Sequence, residues 1–138
     1  MNFIGILQPK YTVTFVEREE SLKDTAKILK QSGYTTIPVI DDNGKYLGTV
    51  SEGDILWYLW EHGLNEFSEA TVETLVNVSR NPSVQDTADI RTIVTRIMEQ
   101  NFLCIVDDRG CFIGIITRKD VIAYMMETVE EKGKDAGI

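Results

Sequence analysis

Between Ser21 and Gly33 the apolar positions Leu22, Ala26, Ile28 and Leu29 recur at helical spacing. The residue before them can cap a helix and the one after can end it, so this stretch predicts a helix. On its N-terminal side, Thr12 to Val16 is β-branched and aromatic and predicts a short strand; on the other side, Thr36 to Ile40 predicts an apolar one. Asp41-Asp42-Asn43-Gly44 supplies turn chemistry, and Tyr46 to Val50 returns as the hairpin partner. A second helix starts at Ser51 and carries Ile55, Leu56, Leu59 and Trp60. The order is strand, helix, strand, strand, helix.

That order then returns. Ser83-Val84 opens a second set, followed by a helix with Ile90, Ile93, Val94 and Ile97 on one face, a strand Phe102 to Val106, a turn Asp107 to Gly110, a strand Phe112 to Thr117 and a helix from Arg118. PVIDDNGKYLGTVSEGDI at 38–55 and CIVDDRGCFIGIITRKDV at 104–121 align without a gap over eighteen positions. Asp41/Asp107, Asp42/Asp108, Gly44/Gly110, Gly48/Gly114 and Asp54/Asp120 are identical pairs. Ordinary composition supplies on the order of one identity in such a window. The chain therefore reads as an internal duplication, two small units packed face to face. Residues 10–66 form the first copy, 67–130 the second, and 131–138, with Gly133 and Gly137, a flexible tail. Between the copies, His62 to Glu69 reads as a linker, and Val72, Leu75 and Val76 as one helical turn. The hairpins lie 66 residues apart and the preceding helices 68, so the second copy lacks two residues before Phe102.

Size and charge narrow the function. A chain of 138 residues suffices for one core, or for two half-sized units sharing one. No run approaches the roughly 20 apolar residues of a membrane span, and MNFIGILQPK lacks the features of a signal peptide, which points to the cytoplasm. A net charge of −8 disfavours nucleic acid as a partner. It leaves room for a small phosphate ligand, because a few local cations outweigh a distant field. Cys104 and Cys111 with the single His62 make no zinc pattern and read as reduced thiols. One histidine completes no Ser/His/Asp or Cys/His set, and no phosphate-binding or dinucleotide glycine motif is present, so no enzyme and no catalytic cofactor are expected. The acids Asp41-Asp42 and Asp107-Asp108 fall in the hairpin turns, where turn formation accounts for them.

Ser51-x-x-Asp54 and Thr117-x-x-Asp120 read first as helix caps. Both also sit where a strand feeds a helix, so each helix start offers N–H groups and a positive dipole end to an anion. The pattern G-h-h-[ST]-x-x-[DN], h being apolar, enters the last helix of each copy as Gly48-Thr49-Val50-Ser51-Glu52-Gly53-Asp54 and Gly114-Ile115-Ile116-Thr117-Arg118-Lys119-Asp120. In its strand, helix, hairpin and helix setting, this pattern resembles the cystathionine-β-synthase (CBS) domain, and two in tandem resemble a Bateman module. The resemblance covers about residues 10–130. It implies an α+β fold with the copies packed sheet to sheet in pseudo-two-fold symmetry.

It also implies site residues. Ser51 and Thr117 would contact phosphate or ribose, and Asp54 and Asp120 would accept hydrogen bonds from ribose hydroxyls. Adenine would lie against Val13, Thr14, Thr36, Ile37 and Pro38 in one copy, and against Arg80, Asn81, Phe102, Leu103 and Cys104 in the other. Ile37 and Leu103 read equally well as plain core. Arg118 and Lys119 follow Thr117 where Glu52 and Gly53 follow Ser51, so the second motif is expected to be the better anion site. Lys10 is a further candidate cation. Tyr34 to Pro38 resembles a stretch found in small stand-alone bacterial CBS pairs that bind cyclic di-AMP, and also in pairs that bind AMP or ATP.

Trp57, Tyr58, Leu59 and Trp60 cannot all face inward on one helix, and Tyr124, Met125 and Met126 mirror them, which predicts a homodimer surface. The function implied is non-enzymatic: a regulatory module that binds AMP, ADP, ATP or cyclic di-AMP between its copies and signals to a partner protein. The alternative is a dimerisation or protein-interaction module indifferent to ligands.

Overall fold

The computed structural model describes residues 3–76 and 80–135. Its strands are β1 (Gln8–Pro9), β2 (Val16–Glu17), β3 (Thr36–Ile40), β4 (Tyr46–Ser51), β5 (Val84–Gln85), β6 (Phe102–Val106) and β7 (Phe112–Thr117). Its helices are α1 (Leu22–Ser32), α2 (Glu52–Glu69), α3 (Ile90–Ile97) and α4 (Arg118–Asp135). Local chemistry sets most of these bounds. The Ser21 hydroxyl accepts from the Asp24 amide at 3.0 Å to start α1, and Gly33, left-handed at φ 77°, ends it. Asp89 starts α3 by accepting from the Thr92 amide, a bond that holds its carboxyl below the ordinary carboxylate range.

The copies fold alike. In the first, β2 runs parallel to β3 after the α1 crossover, and β3 turns into antiparallel β4. In the second, β5, β6 and β7 repeat this, and β1 is added antiparallel on the outer side of β7, pairing Gln8 with Ile115 and Pro9 with Gly114. The sheets join at their hairpin tips. Lys45 bridges Cys111, the Tyr46 amide donates to Gly110 O at 3.1 Å, and the Phe112 amide donates to Gly44 O at 2.8 Å. Asp41 Oδ1 accepts from the amides of Asn43 and Lys45, and Asp107 Oδ1 from those of Arg109 and Cys111, so these turn acids build the turns.

Alternation along the strands divides the core. Leu22, Ile37, Val39, Val50 and Ile55 pack between the first sheet and its helices. Leu103, Ile105, Ile116 and Val121 do the same in the second copy, joined there by Phe3 from the N-terminal segment. The opposite faces meet in a third cluster of Ile40, Cys104, Phe112 and Ile115, flanked by Val13, Phe15, Tyr46 and Phe102. The sheet-to-sheet packing expected from the sequence is this cluster.

Three expectations are corrected. Thr12 to Val16 is not a strand: Lys10–Thr12 form a 3-10 turn, and only Val16–Glu17 pair, because Val13 and Phe15 are drawn into the inter-sheet cluster. His62 to Glu69 is not a linker. It continues α2 beyond a break at Gly63 (φ 83°, ψ 173°) and brings Phe67 onto the first core, a single apolar anchor too sparse to show as periodicity. Helix α4 runs on through Asp135 into the segment 131–138 expected as a tail, and residues 136–138 lie outside the described residues.

Candidate functional site

A cleft of about 410 Å³ opens where the loops entering β3 and β6 face each other. From the first copy it takes Val13, Thr14, Thr36, Ile37 and Pro38. From the second it takes Arg80, Asn81, Phe102 and Thr117. These nine residues, expected from the sequence, do come together. Pro38 can stand within β3 because β2 is too short to reach it: β2 pairs only with Val39 and Ile40.

Tyr34 and Thr35, from the stretch that resembles nucleotide-binding pairs, complete the wall with Glu99, Gln100, Asn101 and Ile115, which were not foreseen. A signal for Gln100 and Asn101 existed. The two-residue difference between the copies falls in the loops that carry Tyr34-Thr35 and Gln100-Asn101, so the place where the repeat breaks is a wall of the cleft. The Gln100 Oε1 is buried and accepts no hydrogen bond from any described residue. An unpaired buried acceptor costs about 1–3 kcal/mol, which a donor brought into the cleft would relieve.

The remaining expected residues lie elsewhere. Leu103 is wholly buried in the second core, and Cys104 is buried between the sheets, where desolvation pushes its thiol up to about 12. Neither lines the cleft. Ile37 is both core and cleft wall. Burial likewise raises the Tyr46 phenol, whose hydroxyl donates to the Asn81 carbonyl.

At the start of α2, Ser51 and Asp54 form a full capping box: Ser51 Oγ accepts from the Asp54 amide at 3.1 Å, and Asp54 Oδ2 accepts from the Ser51 amide at 2.9 Å. The Glu52 amide is taken by Thr35 O at 2.9 Å. At the start of α4, the Arg118 amide goes to Asn101 O at 2.8 Å and the Asp120 amide to Thr117 Oγ1 at 3.1 Å. The expected anion sites are therefore partly closed, since the first and third amides of both helices are used internally.

The charges fall differently from the sequence expectation. Arg118 does not face the cleft. Its Nε donates to Ile97 O at 2.9 Å, Nη1 to Asn101 Oδ1 at 2.9 Å and Nη2 to Met98 O at 3.3 Å, so it caps the C-terminal end of α3, where a cation suits the helix dipole. Asp120 is turned to the N-terminal segment, accepting from Gln8 Nε2 at 2.9 Å. Arg80 instead pairs with Asp54 Oδ1. Among the described residues that line the cleft, Arg80 is the one cation and Glu99 the one acid. No helix among the described residues is long and apolar enough to cross a membrane.

Known proteins share this architecture. A crystal structure of CbpB in complex with c-di-AMP superposes with a TM-score of 0.89 over 98% of this chain and 91% of that one, at 24% identity. A crystal structure of CBSX2 in complex with AMP gives a TM-score of 0.73 over 90% of this chain and 95% of that one, at 25% identity. In sequence, the chain is 32% identical over 124 residues to the uncharacterized protein MJ0188 of Methanocaldococcus jannaschii, covering 87% of this chain and 43% of that protein. The chain thus spans less than half the length of that relative. The CBS domain model matches twice, at residues 8–61 and 72–127, in step with the two sheets and their helices. The chain belongs to the CBS domain family.

Proposed function

We propose that the protein is a non-enzymatic regulatory module that binds an adenine nucleotide, AMP, ADP, ATP or cyclic di-AMP, in the cleft between its two repeats. The observation that carries this reading is the composition of the wall. Ile37, Pro38 and Phe102 offer apolar surface, Thr14, Thr36 and Asn81 offer hydroxyls and an amide, and Arg80 offers one positive charge. A ligand that combines a flat ring, hydroxyls and an anionic group fits that mixture of chemistries, and the volume is that of an ordinary ligand site. CbpB with c-di-AMP and CBSX2 with AMP support it.

The placement of the cleft between the copies supports a signalling role. A ligand touching both copies favours one arrangement of them over another, and the joined hairpin tips are the natural pivot. The partner protein would read that arrangement. Two free thiols suit a reducing cytoplasm. Isothermal titration with AMP, ADP, ATP and c-di-AMP tests the reading, with micromolar binding of at least one expected. Binding no tighter than millimolar for all four would refute it.

The exposed apolar faces favour a second reading, compatible with the first. Leu56, Trp57, Trp60 and Leu64 on α2 are largely exposed, as are Ile122, Met126 and Val129 on α4, whereas Tyr58 and Tyr124 pack inward. A homodimer would cover these faces. Sedimentation equilibrium at micromolar concentration should give twice the 15.6 kDa of one chain. A ligand-indifferent dimer with no nucleotide affinity would favour the interaction-module alternative.

A further inference from the structure

We infer that Arg80 is the residue by which the cleft prefers an anionic ligand to an uncharged one of the same shape, and that it acts by exchanging partners, leaving Asp54 for the ligand. The inference rests on the nucleotide reading above and adds to it the origin of charge selection.

Both carboxylate oxygens of Asp54 are engaged: Oδ2 accepts from the Ser51 amide, and Oδ1 holds the Arg80 guanidinium. Asp54 is the partner that holds Arg80 beside the cleft, so a sugar hydroxyl that reaches Oδ1 competes with the guanidinium for it. The displaced guanidinium cannot travel far. Its neighbour Asn81 donates to Thr49 Oγ1 at 2.8 Å and accepts from the Tyr46 hydroxyl, while the Pro82 carbonyl is held by Arg96 Nη2 at 2.6 Å. The segment is pinned to both copies, so the freed charge stays at the cleft mouth.

What happens next depends on the ligand. A phosphate offers the guanidinium a charge-assisted, two-pronged contact that replaces the one it lost. An uncharged nucleoside that competes for Oδ1 weakens the ion pair and offers the guanidinium no anion in return. Among the described residues no other cation lines the cleft: Arg118 is committed to the end of α3, and Glu99 on the wall repels anions. The Arg80 side chain is 54% exposed, so the ion pair itself is worth only a few-fold in affinity. The phosphate contact is worth more.

The experiment is isothermal titration of the intact protein with AMP and adenosine, in the wild type, Arg80→Gln and Arg80→Lys, with thermal midpoints confirming that all three fold. The wild type should prefer AMP by about tenfold or more. Arg80→Gln should weaken AMP by about tenfold and tighten adenosine about two- to fivefold, because Asp54 is no longer occupied. Opposite shifts for the two ligands are the mark of exchange. Arg80→Lys should keep much of the preference, since it keeps the charge. An unchanged AMP-to-adenosine ratio in Arg80→Gln, or an equal loss of both ligands, overturns the inference. So does a wild type with no preference for AMP, whether it binds both or neither. The nucleotide reading itself falls only if ADP, ATP and c-di-AMP fail as well.

Discussion

Replacing Gly114 by alanine tests how the N-terminal segment is held to the second copy. A Cβ at this position would lie 2.2 Å from Gln8 O and 3.1 Å from both Gln8 C and Leu7 Cδ1. Ordinary contact begins near 3.4 Å, so the backbone of β1 must retreat by about 1.2 Å. A two-residue strand pairing only Gln8 with Ile115 and Pro9 with Gly114 cannot stretch that far and will detach. Detachment forfeits the Gln8–Asp120 hydrogen bond, about 1 kcal/mol, and the burial of Phe3, about 2 kcal/mol. Regained chain entropy offsets part of this, and alanine at φ 156° adds about 1 kcal/mol of strain. The expected cost is about 3 kcal/mol, a shift of about 1.5 M in the urea midpoint. The assay is urea unfolding by circular dichroism in two backgrounds, the intact chain and one lacking residues 1–9. In the shortened chain the clash has no partner, so the same substitution should cost about 1 kcal/mol. Equal costs in both backgrounds, within about 0.5 kcal/mol, would refute the detachment argument.

Two further outcomes are expected. The Cys104 thiol is raised from 9.0 to about 12 in the fold, so its contribution to stability is complete below pH 9 and is lost as pH rises from 9 to 12, by up to about 4 kcal/mol. Cys104→Ala should flatten that alkaline slope in pH-dependent denaturation, although Tyr46, raised in the same way, keeps part of it. Arg118→Ala should cost about 2 kcal/mol in stability by freeing the carbonyls of Ile97 and Met98, yet change AMP affinity less than Arg80→Gln does. A larger loss of AMP affinity than of stability would restore Arg118 to the role its place in the motif suggested.

The duplication made the fold legible, because alternating apolar strands and capped helices each leave a periodic mark. Ser21, Gly33, Ser51 and the turn acids announce their structures through chemistry confined to four or five residues. The parts that escaped have no period. Gln8–Pro9 is two residues long, and its partner lies more than a hundred positions away. Phe67 docks alone after a glycine break. In the site, the strand-entry residues were legible by their place in the repeat, but the direction of each charge was not. Arg118 and Asp120 occupy equivalent motif positions to Glu52 and Asp54, yet their side chains answer to the end of α3 and to Gln8, which no local pattern encodes. Arg80 was placed at the cleft without its partnership with Asp54, for the same reason.

The strand added by residues 8–9 also orders events during synthesis. Gln8 and Pro9 emerge from the ribosome long before Gly114 and Ile115 exist, so the segment that completes the second sheet must wait, unpaired, while the first copy folds beside it. Closing it is the longest-range pairing in the described chain and therefore a late, slow step. Until that step, Asp120 lacks the side-chain amide that holds it and Phe3 stays outside the second core. A nascent chain stalled before residue 114 would thus carry a folded first repeat with an open end.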